Sequence, residues 1–423
     1  MRWIPFLLTL LCTISTQTLA AEFDIYQSDY RPLQLALDVD AADGVDSTNK
    51  RLLYQVVAND LSSSQSFKTI DPMAFIASPE DSWKQIDYGD WRIIGADMIA
   101  LCHMHAAGKQ VLVDIQVHDP FRNKSLTALT VEGRASNMRF LAHRVANQIY
   151  RAALGIPGYF NSHLLYVSKR GDASDLVYMD QDGANRQDVG KNFTLLLSPD
   201  WSPDGGLVAL NTYVGNRPRL EFFNLHNGSR TAFGEFKGLN STPEFSPDGR
   251  YVAATLSYTG NSEIHIYDIK KHRWKQFTHH KGIDTTPTWS PDSKWIAFVS
   301  NRSGRPQVYR KALAGGKVHL VSTQGSYNTS PSWSPAGDRI AMISKKNWSF
   351  AVATVRMNGS DIRYLASGKR IESPSWAPNG QALVYSAEEH GVRRVYRVPS
   401  WGGRPEAITP PSIDASDPAW SRH

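Results

Sequence analysis

Aromatic, polar and apolar positions repeat along the second half of the chain with a nearly constant period. An aromatic residue followed by Ser-Pro or Ala-Pro returns at steps of 44, 44, 44 and 43 residues, and a last aromatic follows after 44 more. The six aromatics are Trp201, Phe245, Trp289, Trp333, Trp376 and Trp420. A period of about 40–45 residues is typical of a four-stranded propeller blade, so the pattern predicts repeated blades.

The phrase Trp201-Ser202-Pro203-Asp204-Gly205 has the chemistry of a tight turn. Proline suits the second position of a type I turn, Ser and Asp bond the local backbone, and Gly accepts the exit conformation. A second proline precedes each aromatic, as a strand start or edge allows. These are Pro199, Pro243, Pro287, Pro331, Pro374 and Pro418. Each copy therefore predicts a loop, a short inner strand and a turn.

Two apolar strands and a fourth strand are predicted after each turn. The predicted second strands are 207–213, 251–257, 295–300, 339–344 and 381–386, and the third strands are 220–225, 264–269, 307–311, 350–357 and 394–398. Segments 164–168, 175–179 and 185–189 resemble a blade without its inner strand, which residues 416–421 can supply. The sequence thus predicts a six-bladed, all-β propeller that the C-terminal strand closes, with no free sheet edges.

Residues 1–21 are predicted to be a signal peptide, since a short apolar run follows Arg2 and small residues follow it. The alternative, an uncleaved anchor, needs about 20 apolar residues. After cleavage near Ala21 only Cys102 remains, which excludes an intramolecular disulfide.

The mixture of strand and helix patterns at 22–158 predicts an α/β domain packed on one end of the ring, followed by the propeller at 159–423. Strands are expected at 33–39, 93–101 and 111–118, and helices at 49–61 and 136–154. Ser136 with Asn137 is the expected N-cap of the second helix, and Gly155 its stop.

The remaining patterns favour binding over catalysis. The net charge of +6 is modest, and the basic run 270–275 is better interpreted as a solvated hairpin than as a nucleic-acid site. No hydrolase, zinc-protease or phosphate-loop motif is present. On a strand, His103 and His105 would share one face and Cys102 would point away, so these residues make a weak candidate for a metal site. The histidine pair at 279–280 has only Asp284 as a nearby acidic residue, so a metal site is not expected there either. We therefore predict no catalytic residue, metal or cofactor.

The whole chain resembles the TolB family, the periplasmic propeller proteins of the Tol–Pal envelope system. The resemblance rests on the domain order, the helix leading into Gly155-Ile156-Pro157, the blade phrase and the closing Pro418-Ala419-Trp420-Ser421. Segments 197–205 and 304–309 are especially similar to the family pattern. Propellers of serine peptidases carry a similar phrase, but here we expect no hydrolase domain after the ring.

The resemblance implies a monomeric, non-enzymatic adaptor in the periplasm. Its implied partners are the outer-membrane lipoprotein Pal, the inner-membrane protein TolA and other outer-membrane proteins, without nucleic-acid binding or membrane insertion. It implies support of outer-membrane integrity and of cell division.

One mouth of the propeller is the implied Pal site. The loops that enter the innermost strands converge there, and binding residues usually lie on such loops. The candidate residues are Leu239, Asn240, Thr242, Asp284, Thr285, Thr286, Ser330, Glu372 and Asp414. The alternative is that the Thr and Ser residues merely cap strand starts.

The mature amino-terminal segment is the implied TolA epitope, and Pal is expected to control whether it is free. The candidate residues are Glu22, Phe23, Asp24, Ile25, Tyr26 and Tyr30. Their alternation suits addition to a partner's sheet edge, or equally a fixed first strand. The competing function is a propeller hydrolase or lyase, or a propeller that binds a small glycan or peptide in its axial channel.

Overall fold

The amino-terminal domain is built on a five-stranded mixed sheet. The computed structural model describes residues 30–42, 45–346 and 348–422. The predicted signal peptide lies outside these residues. The strands are β1 Leu33–Ala41, β2 Phe67–Thr69, β3 Met98–Ala107, β4 Gln110–Asp119 and β5 Lys124–Arg134. The sheet order is β2-β1-β3-β4-β5, with β1 parallel to β2 and β3 and the other pairs antiparallel.

Helices cover both faces of this sheet. The helices are α1 Ser47–Ser63, α2 Pro79–Lys84, α3 Tyr88–Ile93 and α4 Met138–Leu154. The apolar stripes of α1 and α4 share one core with the sheet and with the first propeller strands, whereas α3 covers the opposite face through the buried Trp91. Asp46 caps α1 by accepting the Thr48 amide, and Gly155, at φ 75°, ends α4.

The prediction of a strand at 93–101 was wrong at its start, because residues 88–93 form α3 and the strand begins at Met98. Asp87 caps α3 through the Gly89 amide, a local signal that outweighs the apolar run after it. Of the predicted pair Ser136 and Asn137, Asn137 is the N-cap residue of α4, but its side chain makes no cap bond and both residues lie in a 3-10 turn. Strand β5 was not predicted.

Six antiparallel blades form the rest of the described chain. The first blade consists of β6 His163–Arg170, β7 Ala173–Asp180, β8 Gln187–Phe193 and the C-terminal strand β28 Asp414–Trp420. The second consists of β9 Leu196–Trp201, β10 Leu207–Val214, β11 Arg217–Asn224 and β12 Arg230–Gly234. The third consists of β13 Asn240–Phe245, β14 Tyr251–Leu256, β15 Glu263–Asp268 and β16 Arg273–Gln276. We propose that the two domains meet near residue 158, between α4 and β6.

The last three blades follow the same pattern with one irregularity. The fourth blade consists of β17 Asp284–Trp289, β18 Trp295–Ser300, β19 Gln307–Ala312 and β20 His319–Leu320. The fifth consists of β21 Tyr327–Trp333, β22 Arg339–Lys346, β23 Ser349–Arg356 and the first part of β24 Arg363–Trp376. The sixth consists of the end of β24, β25 Ala382–Glu389, β26 Val392–Pro399 and β27 Glu406–Ala407. Because β24 is continuous, blades five and six form one seven-stranded sheet.

The C-terminal strand closes the ring, as the sequence predicts. Strand β28 Asp414–Trp420 pairs antiparallel with β6 and completes the first blade. Trp420 is buried, and its indole N–H donates to Ser162 Oγ at 2.7 Å. Tyr159 and Trp420, near the two ends of the propeller sequence, therefore share one hydrophobic core.

The repeated phrase performs the predicted turn chemistry. The Gly205 amide donates to the Ser202 carbonyl at 2.9 Å, and the Leu207 amide donates to Ser202 Oγ at 2.8 Å. The indole N–H of Trp201, at the start of the phrase, donates to the Ala419 carbonyl of the preceding blade at 3.0 Å. Each phrase thus closes its own hairpin, and this tryptophan also ties neighbouring blades together.

Candidate functional site

One end of the propeller carries two sets of loops that together we call the open mouth. Antiparallel connection puts the loop before each innermost strand at the same end as the hairpin between the second and third strands. The amino-terminal domain contacts the other end: Asn379 Nδ2 donates to the Pro157 carbonyl, and Gln65 Nε2 to the Arg404 carbonyl. Asn379 and Arg404 lie on turns opposite the open mouth, which this domain therefore leaves uncovered.

A ring of six residues in the left-handed backbone region surrounds the axis just inside the open mouth. Each residue precedes the inner-strand proline of its blade, and each inner strand has a register shift there. The residues are Ser198, Thr242, Thr286, Ser330, Ser373 and Asp417, with φ between 47° and 53°. Positive φ is unusual for any residue other than glycine and is a marked outlier for threonine. Such strain concentrates at functional positions when the fold supports it.

The ring residues and the prolines line an axial cavity of about 360 Å³. Asp200, Glu244 and Arg422 also face this channel. Burial raises the pKa of Asp200 to about 6, against the opposing effect of Arg422. Burial and then the Asp200 charge raise the pKa of Glu244 to about 8. The channel therefore contains two carboxyl groups whose raised pKa values favour proton uptake. Arg422 Nη2 lies 3.7 Å from Asp200 Oδ2.

Exposed apolar side chains are concentrated at the open mouth. Seven large apolar residues of the described propeller are exposed, and six of them lie on loops or strand ends at this mouth. The six are Leu195, Val214, Tyr258, Ile283, Tyr327 and Trp348. Trp348 is 88% exposed, and Lys345 Nζ lies 5.3 Å from its ring centroid. Apolar residues gathered in this way on a protein surface are typical of an interaction site.

Four of the candidate residues lie at or just inside this mouth. Thr242, Thr286 and Ser330 belong to the left-handed ring and line the channel. Thr242 Oγ1 is 2.8 Å from Thr255 Oγ1, and the same Thr255 oxygen accepts the Thr286 amide at 3.1 Å. Glu372 is exposed in the sixth blade. Neighbouring blades are thus joined by hydrogen bonds at the ring.

Other candidate residues brace the mouth loops. Asn240 is fully buried and its amide bonds the backbone of Phe236 on the same loop. Asp284 is fully buried and accepts from Arg302 at 2.8 Å. We therefore propose that these two side chains shape the mouth and that their neighbours on the same loops contact a partner.

The remaining mouth candidates are half-buried. Asp414 accepts from Arg393 at 2.8 Å, and the Leu239 amide donates to Ser257 Oγ at 2.7 Å. Thr285 is also half-buried, and it pairs with Val299 in the fourth blade.

The amino-terminal candidates Glu22, Phe23, Asp24, Ile25 and Tyr26 lie outside the described residues. Tyr30 is described, and its ring lies 4.5 Å from that of Trp401, measured between centroids. Trp401 belongs to the loop between β26 and β27, at the end opposite the open mouth.

A buried polar cluster joins the two domains at that opposite end. His143 Nδ1 of α4 is 2.7 Å from Asp60 Oδ2 of α1, and Gln181 Nε2 donates to Asp60 Oδ1 at 2.9 Å. Arg397 of the sixth blade donates to Gln181 Oε1 at 2.8 Å. On the other side of the imidazole, Asp180 Oδ2 is 3.8 Å from His143 Nε2. We call these residues the interdomain cluster.

The metal-ligand candidates have ordinary partners. His103 Nδ1 and His105 Nδ1 each lie 3.5 Å from a carboxylate, of Asp40 and Asp114 respectively. Within the described ranges, the trio with metal-ligand spacing is His143, Asp180 and Asp182. Arg139 forms ion pairs with both of these aspartates, so a protein cation already neutralises that site.

Two family models match the chain over most of its length. The TolB amino-terminal domain matches residues 21–126, and the TolB beta propeller domain matches residues 150–423. The chain belongs to the TolB family. The match to the propeller model includes the six blades and the closing strand described above. No helix among the described residues combines the length and apolarity that a membrane crossing requires.

Known relatives and a crystal structure agree with this assignment. The chain is 33% identical over 222 residues to the Tol-Pal system protein TolB of Paramagnetospirillum magneticum, in an alignment that covers 51% of the chain and 50% of the relative. It is 35% identical over 190 residues to the Tol-Pal system protein TolB of Chromobacterium violaceum, covering 45% of the chain and 44% of the relative. The alignments thus span about half the length of these curated relatives. Both of these relatives are named as proteins of a Tol-Pal system.

The crystal structure of TolB from Acinetobacter baumannii superposes with a TM-score of 0.85 at 28% identity, covering 95% of this chain and 98% of that one. This superposition extends the similarity to both domains.

Proposed function

We propose that this chain is a periplasmic adaptor that binds the lipoprotein Pal at its open mouth and offers its amino-terminal segment to TolA. In this role it supports outer-membrane integrity and constriction at cell division. The observation that carries the proposal is the concentration of exposed apolar side chains at the one end of the ring that the amino-terminal domain leaves uncovered. Family membership supplies the class of partner.

The geometry of the open mouth suits a folded protein partner. Its exposed apolar residues come from blades two to five, so they form an arc around the channel. A central projection of the partner would meet the left-handed ring, and the apolar arc would pack around it. Interface energy is usually concentrated in such central anchors, and Trp348 is of the residue type that most often provides one.

A second candidate function rests on the channel carboxyl groups. Asp200 and Glu244 have raised pKa values, as binding or acid–base sites often do. However, Asp200 Oδ2 accepts the Phe245 amide and Glu244 Oε1 accepts the Trp289 amide, so both side chains tie neighbouring blades. These bonds favour a structural role, and we retain a small channel ligand as the alternative.

Two arginines at the open mouth should abolish Pal binding. We expect Thr242→Arg with Thr285→Arg to weaken the affinity for the soluble domain of the host's Pal by at least about 100-fold, because two large charged side chains would block close packing at a desolvated centre. Arginine tolerates the φ of 48° at position 242 better than a β-branched residue does. Calorimetric titration of the full chain measures the effect.

The matched control carries the same added charge at the opposite end. Ser229→Arg with Ser360→Arg changes two exposed residues on the turns between third and fourth strands. This variant should bind as the unmodified chain does. Pal binding that survives the Thr242 and Thr285 changes would place the docking surface elsewhere, and absence of any binding would favour the channel-ligand alternative.

The amino-terminal segment should be necessary for TolA binding. A chain that begins at Tyr30 is expected to lose binding of the soluble TolA domain while it keeps Pal binding, because Tyr30 and the open mouth lie at opposite ends of the ring. Surface plasmon resonance with both partners measures this. Undiminished TolA binding to the shortened chain would refute the assignment of the epitope.

A further inference from the structure

Exposed cations without ion pairs surround the open mouth. They come from four blades, and no carboxylate in the described part of the chain pairs with them. They are Arg217, Lys237, Lys281, Arg305 and Lys369. Arg217 and Arg305 lie at hairpins between second and third strands, Lys237 and Lys281 lie on loops that lead to innermost strands, and Lys369 lies in the continuous strand β24.

The acidic residues of the same loops are largely neutralised within the protein. Five of them form ion pairs with nearby arginines. The pairs are Glu235 with Arg219 at 2.9 Å, Asp284 with Arg302 at 2.8 Å, Glu388 with Arg370 at 3.2 Å, Glu389 with Arg394 at 2.7 Å and Asp414 with Arg393 at 2.8 Å. Two exposed acidic residues of the described mouth, Asp172 and Glu372, have no such partner. The open mouth therefore presents a surplus of positive charge.

Cations and apolar side chains alternate around this rim. Val214 and Arg217 flank the same hairpin, and Lys281 is two residues from the exposed Ile283. On the third blade, Tyr258 stacks on Phe236 with centroids 4.6 Å apart, beside Lys237. A surface with this alternation suits a folded partner with apolar residues inside a border of carboxylates. A nucleic acid or another polyanion would leave the apolar side chains unused.

We propose that the open mouth recognises an acidic protein surface, and that the cationic rim captures this surface before the apolar centre packs. The inference rests on the proposed function, in which the partner is the Pal domain. Opposite charges steer encounter and mainly raise the association rate. At physiological salt the electrostatic attraction between exposed charges extends only about 8 Å, so the rim acts on the final approach.

Charge reversal at the rim tests this inference. In the variant Arg217→Glu, Lys237→Glu, Arg305→Glu, three exposed cations from blades two, three and four are replaced. The control Lys270→Glu, Lys294→Glu, Lys317→Glu makes the same change in net charge at exposed positions on the opposite end of the ring. Stopped-flow association of each full chain with the soluble domain of the host's Pal is measured at about 0.05 and 0.5 M salt, after equal thermal unfolding midpoints are verified.

For the unmodified chain and the control, we expect the association rate to fall at least about 10-fold between the two salt concentrations. The rim variant should associate at least about 10-fold more slowly at low salt and show little dependence on salt. Pal binding with unchanged rates in the rim variant would overturn the inference and leave the proposed function intact. Failure of the unmodified chain to bind Pal would overturn both, and binding of a single-stranded oligonucleotide instead would assign the rim to a polyanion.

Discussion

A chain that ends after Ile413 is expected to lose the cooperative unfolding transition of the propeller. The truncation removes β28, the innermost strand of the first blade, and leaves β6 with an unpaired edge inside the ring. It also deletes the buried Trp420, whose indole bonds Ser162. Loss of a buried tryptophan alone costs about 3–5 kcal/mol, and here a whole strand of backbone hydrogen bonds is lost with it.

The effect can be separated from a mere change of length. A chain that ends after Ser421 keeps β28 and should unfold with a midpoint close to that of the full chain in calorimetry. A peptide of residues 412–423, added to the truncated chain, should restore protection of the β6 amides in hydrogen exchange. If the truncated chain unfolded at the same midpoint as the control, the closure of the ring by β28 would be contradicted.

Replacement of His143 by alanine should destabilise the protein by about 3–5 kcal/mol. The change removes the imidazole that lies 2.7 Å from Asp60, so that a carboxylate inside the domain interface loses its main charged partner. Burial raises the pKa of Asp60 to about 6, while His143 opposes this rise. Without His143 the carboxyl group must either remain charged and unpaired or take up a proton. Urea denaturation at pH 7 measures the loss.

The same cluster should make stability depend on pH. Burial lowers the pKa of His143, but Asp180 and Asp60 outweigh burial and raise the pKa from 6.5 to about 9. A raised pKa in the folded state means that the contribution is fully present below about pH 6.5 and is lost as the pH rises through about 9. The imidazole is almost completely buried, so this contribution is of the order of 3 kcal/mol.

His143→Gln provides the comparison for this pH dependence. Glutamine keeps a hydrogen-bond donor near Asp60 but cannot carry a charge. We expect the unfolding free energy of the unmodified chain to fall more between pH 7 and 10 than that of the glutamine variant. Parallel curves for the two proteins would show that His143 is neutral in the folded state.

The repeat determined the propeller because one short phrase specifies the same local structure in every copy. In the third copy, Ser293 replaces the usual Gly and still adopts a φ of 57°, so the turn persists without glycine. Blades five and six show the limit of this reasoning. Residues 370–373 were expected to form the loop that enters the sixth inner strand, yet β24 runs through them, because pairing with strands of both blades overrides local propensity.

The site was predictable at the level of loops more than of side chains. Thr242, Thr286 and Ser330 could be placed at the mouth from topology, but their left-handed backbone could not, since a residue before proline normally adopts an extended conformation. The burial of Asn240 depends on how its loop folds back on Phe236. Trp348 and the other exposed apolar residues were missed, because isolated apolar positions in hairpins give no periodic signal.

Hydrogen exchange of the full chain, with and without the soluble domain of the host's Pal, tests the docking surface most directly. If Pal docks at the open mouth, amide exchange should slow in its loops, including the hairpins at 215–216 and 257–262 and the loops at 235–239 and 277–283. Exchange should be unchanged at the turns 203–206, 247–250 and 291–294 on the opposite end. Protection confined to those turns, or to the amino-terminal domain, would contradict the open mouth as the Pal-binding surface.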